Sequence, residues 1–463
     1  MFRLFAVLMC LVASVEPLSA AMRTAGTAKR NITPPVGTPM AGYYVARGAE
    51  GTHDPLFAHA LVIESDGVKI ALVSLDLITT TFTLVADSRK AIAEATGIPA
   101  ERVMISATHS HTGPVLGDGL AYGDALGGNN ALAKQYAAEL PALIAETVKA
   151  ADDSRKPAVI SQSIGREDDL AFVRRFHMTD GSVGWNPGKK NPRILRPTAP
   201  TDPAVPIVVC ADDKGKPFAV YVNFAMHLDT VGGLKYSADY PYFLRKALSD
   251  VYGDDLVTMF TTGCCGDINH INVNSTAPQK GTGEAARLGT RLAASVLKAW
   301  EKLEPIADGP IRFRQEMIDL ELYPMTDTDR DAGKLVTAKL TAGAKPVPAF
   351  LDQVQAFRAA DVAARLGKPL RVEVQVFSVG PDLAFVSLPG EVFVELGLAI
   401  KAHSPFKNTI VAELANGSVG YIPTRTAYPQ GAYEVLSARM ASGGGEKLVD
   451  AALGQLRFQF KAK

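Results

Sequence analysis

Cysteine is scarce in this sequence, which has four cysteines in 463 residues. One of them, Cys10, lies in the N-terminal apolar run, so Cys210, Cys264 and Cys265 are left for the rest of the chain. An odd and sparse set excludes a disulfide framework as the source of stability. Because a bridge between the neighbours Cys264 and Cys265 would close a strained ring, we predict buried, reduced thiols and a fold stabilised by its hydrophobic core.

The sequence also lacks net charge and, beyond its N-terminus, any long apolar run. It has 48 Lys and Arg against 48 Asp and Glu, which removes the electrostatic case for binding nucleic acid or an anionic membrane surface. No stretch after residue 21 approaches the roughly 20 uninterrupted apolar residues of a membrane helix. We therefore expect a small-molecule substrate, no nucleic-acid partner and no stable membrane insertion. The sequence makes no prediction of oligomeric state.

The first residues have the layout of a secretory signal peptide. Met1-Phe2-Arg3 precedes an apolar run over residues 4–15, and the small residues Ser19-Ala20-Ala21 follow it. We predict a signal peptide over residues 1–21, export to the periplasm or the medium, and a single catalytic domain over residues 22–463. No lipoprotein pattern follows Cys10, which disfavours a lipid anchor.

Strand-like and helix-like patterns alternate along the chain. Residues 60–64 and 69–75 form short apolar runs, whereas residues 83–96 and 131–151 carry apolar side chains at helical spacing. The alternation predicts an α/β fold with mixed β-sheets sandwiched by helices. Further strands are predicted at 102–106, 158–163, 207–210, 218–224, 257–261, 311–320, 370–379 and 383–387, and further helices at 240–251, 285–302, 349–366 and 391–402.

Two segments have no such pattern. Residues 166–204 are broken by several prolines and glycines, and residues 113–130 are rich in glycine and small side chains. Irregular segments of this length inside a compact domain are usually functional or disordered. We expect both segments, together with residues 416–433, to border the functional site.

Three histidines follow predicted strands. His109 and His111 lie in the sequence Ala-Thr-His-Ser-His-Thr-Gly-Pro, and in an extended segment this spacing places both imidazoles on one face. His227 comes at the end of the strand predicted at 218–224, and strand ends are where α/β folds collect their sites. The pair His109 and His111 favours metal binding or catalysis, whereas His227 taken singly is more often a structural histidine than a ligand. Ordinary polar residues at the first two positions, and a structural histidine at His227, remain open alternatives.

Further polar candidates follow in the C-terminal third. Glu391 comes directly after a Pro-Gly turn and is predicted in the first turn of a helix, where a carboxylate also stabilises the helix dipole. Glu395 lies one turn later and suits a surface position or a role behind the site. Tyr421 follows a glycine-rich turn and Tyr433 lies in a polar stretch. On their own, tyrosines in such places are most simply packing residues with a satisfied hydroxyl.

Taken in order, these motifs resemble those of the neutral/alkaline ceramidases. The set comprises residues 26–37, 107–114, 223–227, 266–269, 389–391 and 420–422, and it spans nearly the whole chain after the signal peptide. The resemblance implies a ceramidase-like catalytic domain that hydrolyses linear amides of amphiphilic N-acyl compounds to a fatty acid and an amine. N-acylsphingosine is one such substrate, and other N-acyl amides remain open.

The resemblance also implies a Zn²⁺ site and its catalytic groups. The metal ligands carried over are His109, His227, Glu391 and Tyr421, which would leave one position open for water. His111 then resembles the proton-transfer residue. Arg174 and Tyr433 resemble the donors to the carbonyl oxygen, although the adjacent Arg175 could take the place of Arg174.

The sequence departs from that family at two places. The family's Gly-Asp-Val-Ser-Pro-Asn segment appears here as Gly-Asp-Ile-Asn-His-Ile over residues 266–271, so no catalytic serine is expected there and the role of His270 is open. The β-sandwich domain that follows the family's catalytic domain is not expected within 463 residues. His53-Asp54 suits a capping role or a role behind a ligand, and Asp76 suits either orienting a histidine or accepting backbone hydrogen bonds.

Two other functions fit the histidines. A metallo-β-lactamase-like hydrolase also uses His-x-His after a strand, but Thr112 and Gly113 stand where it normally continues with Asp-His. An exported binding protein would hold a ligand in the same cleft without turnover. Bound metal together with amide cleavage would separate these functions.

Overall fold

The computed structural model describes residues 23–117 and 120–461. The predicted signal peptide lies outside the described residues. No described helix is long and apolar enough to cross a membrane. The helices are α1 (Phe82–Thr96), α2 (Ala131–Asp153), α3 (Tyr240–Tyr252), α4 (Thr282–Trp300), α5 (Asp327–Thr341), α6 (Phe350–Ala364), α7 (Val394–His403), α8 (Ala432–Ser437) and α9 (Gly444–Lys461).

The strands fall in two runs along the chain. The first run is β1 (Thr24–Asn31), β2 (Gly51–Thr52), β3 (Phe57–Ser65), β4 (Val68–Leu75), β5 (Val103–Ala107), β6 (Lys156–Pro157), β7 (Val159–Arg166), β8 (Phe172–Val173), β9 (Arg175–Met178), β10 (Val183–Trp185) and β11 (Ile194–Pro197). The second is β12 (Ala204–Ala211), β13 (Pro217–Phe224), β14 (Lys235–Tyr236), β15 (Val257–Thr262), β16 (Ile268–Asn269), β17 (Glu304–Pro305), β18 (Ile311–Leu320), β19 (Leu370–Val379), β20 (Leu383–Ser387), β21 (Glu391–Val392), β22 (Asn408–Ala412) and β23 (Tyr421–Ile422).

Three larger sheets carry the fold. Their strand orders are β5-β4-β3-β1-β6, β15-β13-β12-β7-β17 and β18-β19-β20-β22. In each sheet the neighbours are antiparallel except for one parallel pair, which is β4 with β5, β13 with β15, and β20 with β22. The predicted mixed α/β class is therefore confirmed.

Each sheet is covered on both faces. Helices α1 and α2 cover the first sheet, α3 and α4 the second, and α7 and α9 the third. The opposite faces pack against one another in a shared core that includes Leu61, Tyr221 and Phe385, one from each sheet. Strands buried on both faces are nearly continuous apolar runs, which is why most of them are recognisable in the sequence. The three described cysteines are buried and free, as predicted.

Some predicted elements are corrected. The helix predicted at 391–402 begins only at Val394, and Glu391 lies instead in β21, which pairs in parallel with β23. The reason is a contact distant in sequence, since the Glu391 N–H donates to the Gly420 carbonyl at 2.9 Å. The segment 166–204, expected to be irregular, contains the three-stranded sheet β10-β9-β11. Helices α5, α8 and α9 were not predicted.

The parallel pairs determine where the candidate residues gather. His109 follows β5, His227 follows β13, Glu391 follows β20 and Tyr421 follows β22. Each of these strands belongs to the parallel pair of its sheet. The carboxyl ends of parallel strands are the usual place for sites in α/β folds, and here three sheets contribute to one such place.

Candidate metal centre

The chain turns at His109 directly after β5. His109 has a φ of 79°, a left-handed conformation that residues with a side chain seldom adopt. The N–H groups of His109 and Ser110 both donate to the Leu77 carbonyl, at 2.9 and 3.1 Å. The expectation of an extended His-x-His segment is therefore wrong. The turn, rather than strand alternation, brings the rings of His109 and His111 to a centroid distance of 4.8 Å.

Glu391 and Tyr421 are partners on neighbouring strands. They lie opposite each other in the short parallel pair of β21 and β23. The close approach of the two segments depends on Gly390, where an added Cβ would lie 2.4 Å from the Gly420 carbonyl oxygen. The sequence motifs Pro-Gly-Glu and Gly-Tyr-Ile thus form two paired segments, which place a carboxylate and a phenol side by side.

Main-chain carbonyls fix all three imidazoles in the same tautomer. The Nδ1 atom of His109 lies 2.7 Å from the Ile78 oxygen, that of His111 3.0 Å from the Gly42 oxygen, and that of His227 2.8 Å from the Cys265 oxygen. A carbonyl oxygen only accepts, so each Nδ1 carries the proton and donates it. Each Nε2 therefore presents a lone pair, the state that a metal requires.

These lone pairs converge on one point with the Glu391 carboxylate. The candidate ligand atoms of the three histidines lie within 4.8 Å of one another. Glu391 Oε2 lies 3.4 Å from His109 Nε2 and 3.3 Å from His227 Nε2. Glu391 Oε2 and His227 Nε2 are buried and have no hydrogen-bond partner within the described part of the chain. Buried acceptors that face one another are costly unless a positive charge lies between them.

A divalent cation fits this arrangement better than a single proton does. Burial opposes a charge on His109, but the Glu391 carboxylate raises its pKa overall. Burial, assisted by neighbouring positive charge, lowers the pKa of His227 to about 4, so this ring is neutral at pH 7. One proton on His109 would leave the His227 lone pair facing the same carboxylate. Two imidazoles, a carboxylate and the Tyr421 phenol form a nitrogen and oxygen donor set of the kind that zinc accepts.

The hydrogen bonds also distinguish Arg174 from Arg175. Arg174 donates to the Tyr421 hydroxyl at 3.0 Å and to the Gly266 carbonyl at 2.7 Å. Its guanidinium therefore lies beside the candidate metal centre. Both arginines pair with the buried Glu434 carboxylate, one on each oxygen, at 2.8 and 2.9 Å. Arg175 thus lies on the other side of Glu434. The Tyr433 ring lies 5.2 Å from the Tyr421 ring, which places Tyr433 beside the same centre.

Glu413 supports the site but was not predicted from the sequence. It is fully buried, and its carboxylate accepts hydrogen bonds from the main-chain N–H groups of Cys265 and Val392 and from the Cys265 thiol. It thereby ties the loop that orients His227 to the strand that carries Glu391. Burial raises its pKa to about 8. Its only sequence signal is its position directly after the buried strand β22.

The open alternatives for the other polar residues are decided by their contacts. Asp54 accepts from the Ser237 hydroxyl at 2.7 Å and the Ala238 N–H at 2.6 Å, so it supports a loop rather than a ligand. Asp76 accepts the Phe57 N–H and pairs with Arg245, and it does not orient a histidine. His270 likewise does not orient a ligand histidine, because its ring lies between the Asp229 carboxylate and the Gln279 carbonyl. Glu395 lies in the first turn of α7.

A cavity of about 240 Å³ reaches the candidate metal centre. His109, His111, Glu391, Tyr421 and Tyr433 line one part of it. Elsewhere its walls are mostly aliphatic and aromatic, and they include Tyr44, Ile78, Leu116, Leu120, Tyr122 and Leu126. The loop expected to border the site, residues 113–130, provides several of these side chains. The arrangement suits a substrate with a polar reacting group and an apolar portion.

Comparison with known proteins identifies solved structures that have the same fold. No family model and no curated protein matches this sequence. Among solved structures, the neutral ceramidase from Pseudomonas aeruginosa matches with 19% identity and a TM-score of 0.74, over 95% of this chain and 75% of that chain. A ceramidase complexed with C2 matches with 17% identity and a TM-score of 0.73, over 94% and 74% of the two chains. The chain therefore has the neutral ceramidase fold, and the resemblance predicted from its motifs is confirmed in structure.

Proposed function

We propose that the protein is an exported, zinc-dependent hydrolase of linear amides that acts on amphiphilic N-acyl compounds, N-acylsphingosine among them. The observation that carries the proposal is the convergence of unprotonated Nε2 atoms and the Glu391 carboxylate at the inner part of a largely apolar cavity. The ceramidase fold supports the same reaction class. The proposal of export depends on the signal-peptide pattern at residues 1–21.

His109, His227, Glu391 and Tyr421 would hold the zinc ion. Bound there, zinc acts as a Lewis acid that lowers the pKa of a water molecule and polarises a carbonyl group. The chain's own part is to keep these four groups fixed and their lone pairs free. The main-chain carbonyls behind the imidazoles, and the Arg174 hydrogen bond to the Tyr421 hydroxyl, do this.

His111 is suited to moving the proton. Burial, with the neighbouring His109, lowers the pKa of His111 to about 3, so the ring is neutral and its Nε2 can accept a proton from the attacking water. The same nitrogen then gives the proton to the leaving amine as the C–N bond breaks. Water adds its oxygen to the carbonyl carbon, and the products are a carboxylic acid and an amine.

Arg174 and Tyr433 are suited to stabilising the developing oxyanion. Arg174 is a permanent cation whose guanidinium is fixed by Glu434, Gly266 and Tyr421. Among the described residues the Tyr433 hydroxyl donates one long hydrogen bond, to the Tyr44 hydroxyl at 3.5 Å, which a substrate oxygen can replace. Preorganised donors of this kind typically account for about 10²–10³ in kcat each.

The first experiment measures zinc in the purified protein by elemental analysis. We expect about one zinc per chain for an open catalytic site, and its loss in His109→Ala and His227→Ala. His403→Ala is the matched control, because His403 is an exposed histidine at the end of α7. Equal zinc contents in all three variants would refute the metal site.

The second experiment measures fatty-acid release from a panel of N-acyl amides that includes ceramide. Cleavage of ceramide, or of other N-acyl amides, supports the proposal and identifies the substrate. Bound zinc without cleavage of any amide would contradict the reaction while leaving the metal site intact. Neither zinc nor turnover would favour a binding protein.

A further inference from the structure

A second cavity, of about 320 Å³, is lined by Arg175 on the side of Glu434 away from Arg174. Its other lining residues come from four places, which are β9 and β11 with the residue that follows, Asp267, the start of α7, and residues 424–430. Phe393 and Ala427 are the apolar residues of this lining. Nothing in the proposed amide hydrolysis uses this cavity.

Basic side chains meet on one face of the sheet that borders this cavity. Arg175 and His177 alternate along β9 and so share a face. Arg196 on β11 is the direct cross-strand partner of His177. No described carboxylate forms an ion pair with Arg196, which is exposed.

Arg175, one of the lining residues of this cavity, has an unsatisfied donor. Its side chain is 0% exposed, yet its Nε has no hydrogen-bond partner among the described residues. Its Nη1 donates to Glu434 and the Gly431 carbonyl, and its Nη2 donates to Gln430. A buried guanidinium with one free N–H group can donate one more hydrogen bond to an oxygen atom.

The carboxyl groups in the lining are weak counter-charges. Burial raises the pKa of Asp267 to about 7, against the opposing effect of Arg175. Burial also raises the pKa of Glu395, with Glu446 adding to the effect. The hydroxyls of Thr198, Thr424 and Thr426 also lie in the lining. Hydroxyls and guanidinium groups around a hydrophilic cavity are the usual ligands of an oxyanion.

We propose that this cavity binds a small, soluble oxyanion of the phosphate type, with Arg175 and Arg196 as its cationic ligands and His177 as a further hydrogen-bond donor. The lining offers too little apolar surface to accept the tail of a lipid, which favours a soluble ion over a lipid headgroup. The inference is independent of the metal centre and of the amide substrate.

Calorimetric titration of the purified protein with inorganic phosphate tests the site. We expect saturable binding that is weakened about tenfold or more in Arg196→Ala, since one charge-assisted contact is lost. Arg193→Ala is the matched control, because Arg193 is exposed and lies outside the cavity lining, three positions earlier in the chain. This control should bind phosphate like the unmodified protein.

Three outcomes overturn the proposal. The first is the absence of phosphate binding. The second is equal phosphate affinity in Arg196→Ala and Arg193→Ala, which would locate the ion elsewhere, for example at the metal centre. The third is binding to phosphatidylglycerol vesicles that Arg196→Ala abolishes, which would assign the site to a lipid headgroup. Because Arg196 is exposed, its replacement should leave the thermal unfolding midpoint unchanged, so that lost binding is not lost folding.

Discussion

The two halves of the candidate metal centre are held in different ways. The three histidines are oriented by main-chain carbonyls. The arginine half depends on a side chain, since Arg174 and Arg175 share the one carboxylate of Glu434. Backbone support survives substitution of the residue that provides it, whereas side-chain support does not. The histidine half should therefore tolerate changes behind it, and the arginine half should not.

The largest effect is expected from Glu434→Gln. The change leaves two buried guanidinium groups without their common counter-charge, and breaking a buried pair in this way costs about 3–5 kcal/mol of unfolding free energy. Urea denaturation measures the loss. Glu304→Gln is the control, since Glu304 pairs with Lys407 on the surface, where an ion pair contributes little. Equal urea midpoints for Glu434→Gln and Glu304→Gln would show that the arginine half does not depend on the Glu434 carboxylate.

The next effect concerns the oxyanion donors of the arginine half. Tyr433→Phe keeps the ring in place and removes the hydroxyl, so kcat for amide cleavage should fall about 10²–10³-fold with little change in stability. Steady-state kinetics on the best substrate of the panel measures this. Tyr428→Phe, which removes a hydroxyl bonded to the Met440 carbonyl instead, should leave kcat unchanged. An unchanged kcat in Tyr433→Phe would exclude it as a donor.

A smaller effect concerns Asp54, which supports a loop rather than a metal ligand and so lies outside both halves. Burial raises the pKa of Asp54 from 3.8 to about 6, although the Ser237 hydroxyl and the Ala238 N–H oppose the shift. The folded protein thus holds the proton more tightly than the unfolded chain, so the contribution of Asp54 to stability is largest below about pH 4 and falls as the pH rises to about 6.

Asp54→Asn removes this titration. The unfolding free energy of the unmodified protein relative to this variant should fall by about 2–3 kcal/mol between pH 4 and pH 7. Urea denaturation across this range checks it. A difference between the two proteins that does not change with pH would show that Asp54 does not titrate in this way.

The smallest expected effect is on zinc affinity, and it tests whether the main chain orients His227. Cys265→Ser keeps the carbonyl that orients His227 and a donor to Glu413, so the zinc Kd should change by about threefold or less. Where a side-chain partner orients a metal-binding histidine, its loss typically costs about 10–100-fold in affinity. Competition with a chelator measures the Kd. A loss in the larger range would mean that the thiol, rather than the main chain, orients His227.

Much of the fold could be predicted because most of its central strands are buried on both faces. The buried strands at 370–379 and 383–387 were predicted to the residue, and so was the more exposed strand at 311–320. Helix α5 was missed because its buried residues are Gly333 and Thr337, so it carries no apolar stripe. Gly333 lies so close to α6 that an added Cβ would lie 2.3 Å from the Ala359 Cβ. That helix pair is specified by close backbone contact, which periodicity does not reveal.

The site histidines that follow a strand could be predicted from the sequence. His109 and His227 stand in such places, and the ordered motifs added Glu391 and Tyr421. The helical turn assigned to Glu391 was wrong, because its pairing with Tyr421 is a contact between segments far apart in sequence. Glu413 was missed for a related reason. A single glutamate after a strand resembles a surface residue, and only the folded chain reveals that it is buried against Cys265 and Val392.

The distribution of the candidate ligands over three sheets has a consequence for folding. His109, His227 and Glu391 follow strands of the first, second and third sheet, so no chain that lacks one sheet can bring them together. Contacts so distant in sequence form slowly, because long loops must close before the contacts stabilise them. The proposed zinc ion should thus be captured only after the three sheets have packed, and by binding the native state alone it would raise the unfolding free energy.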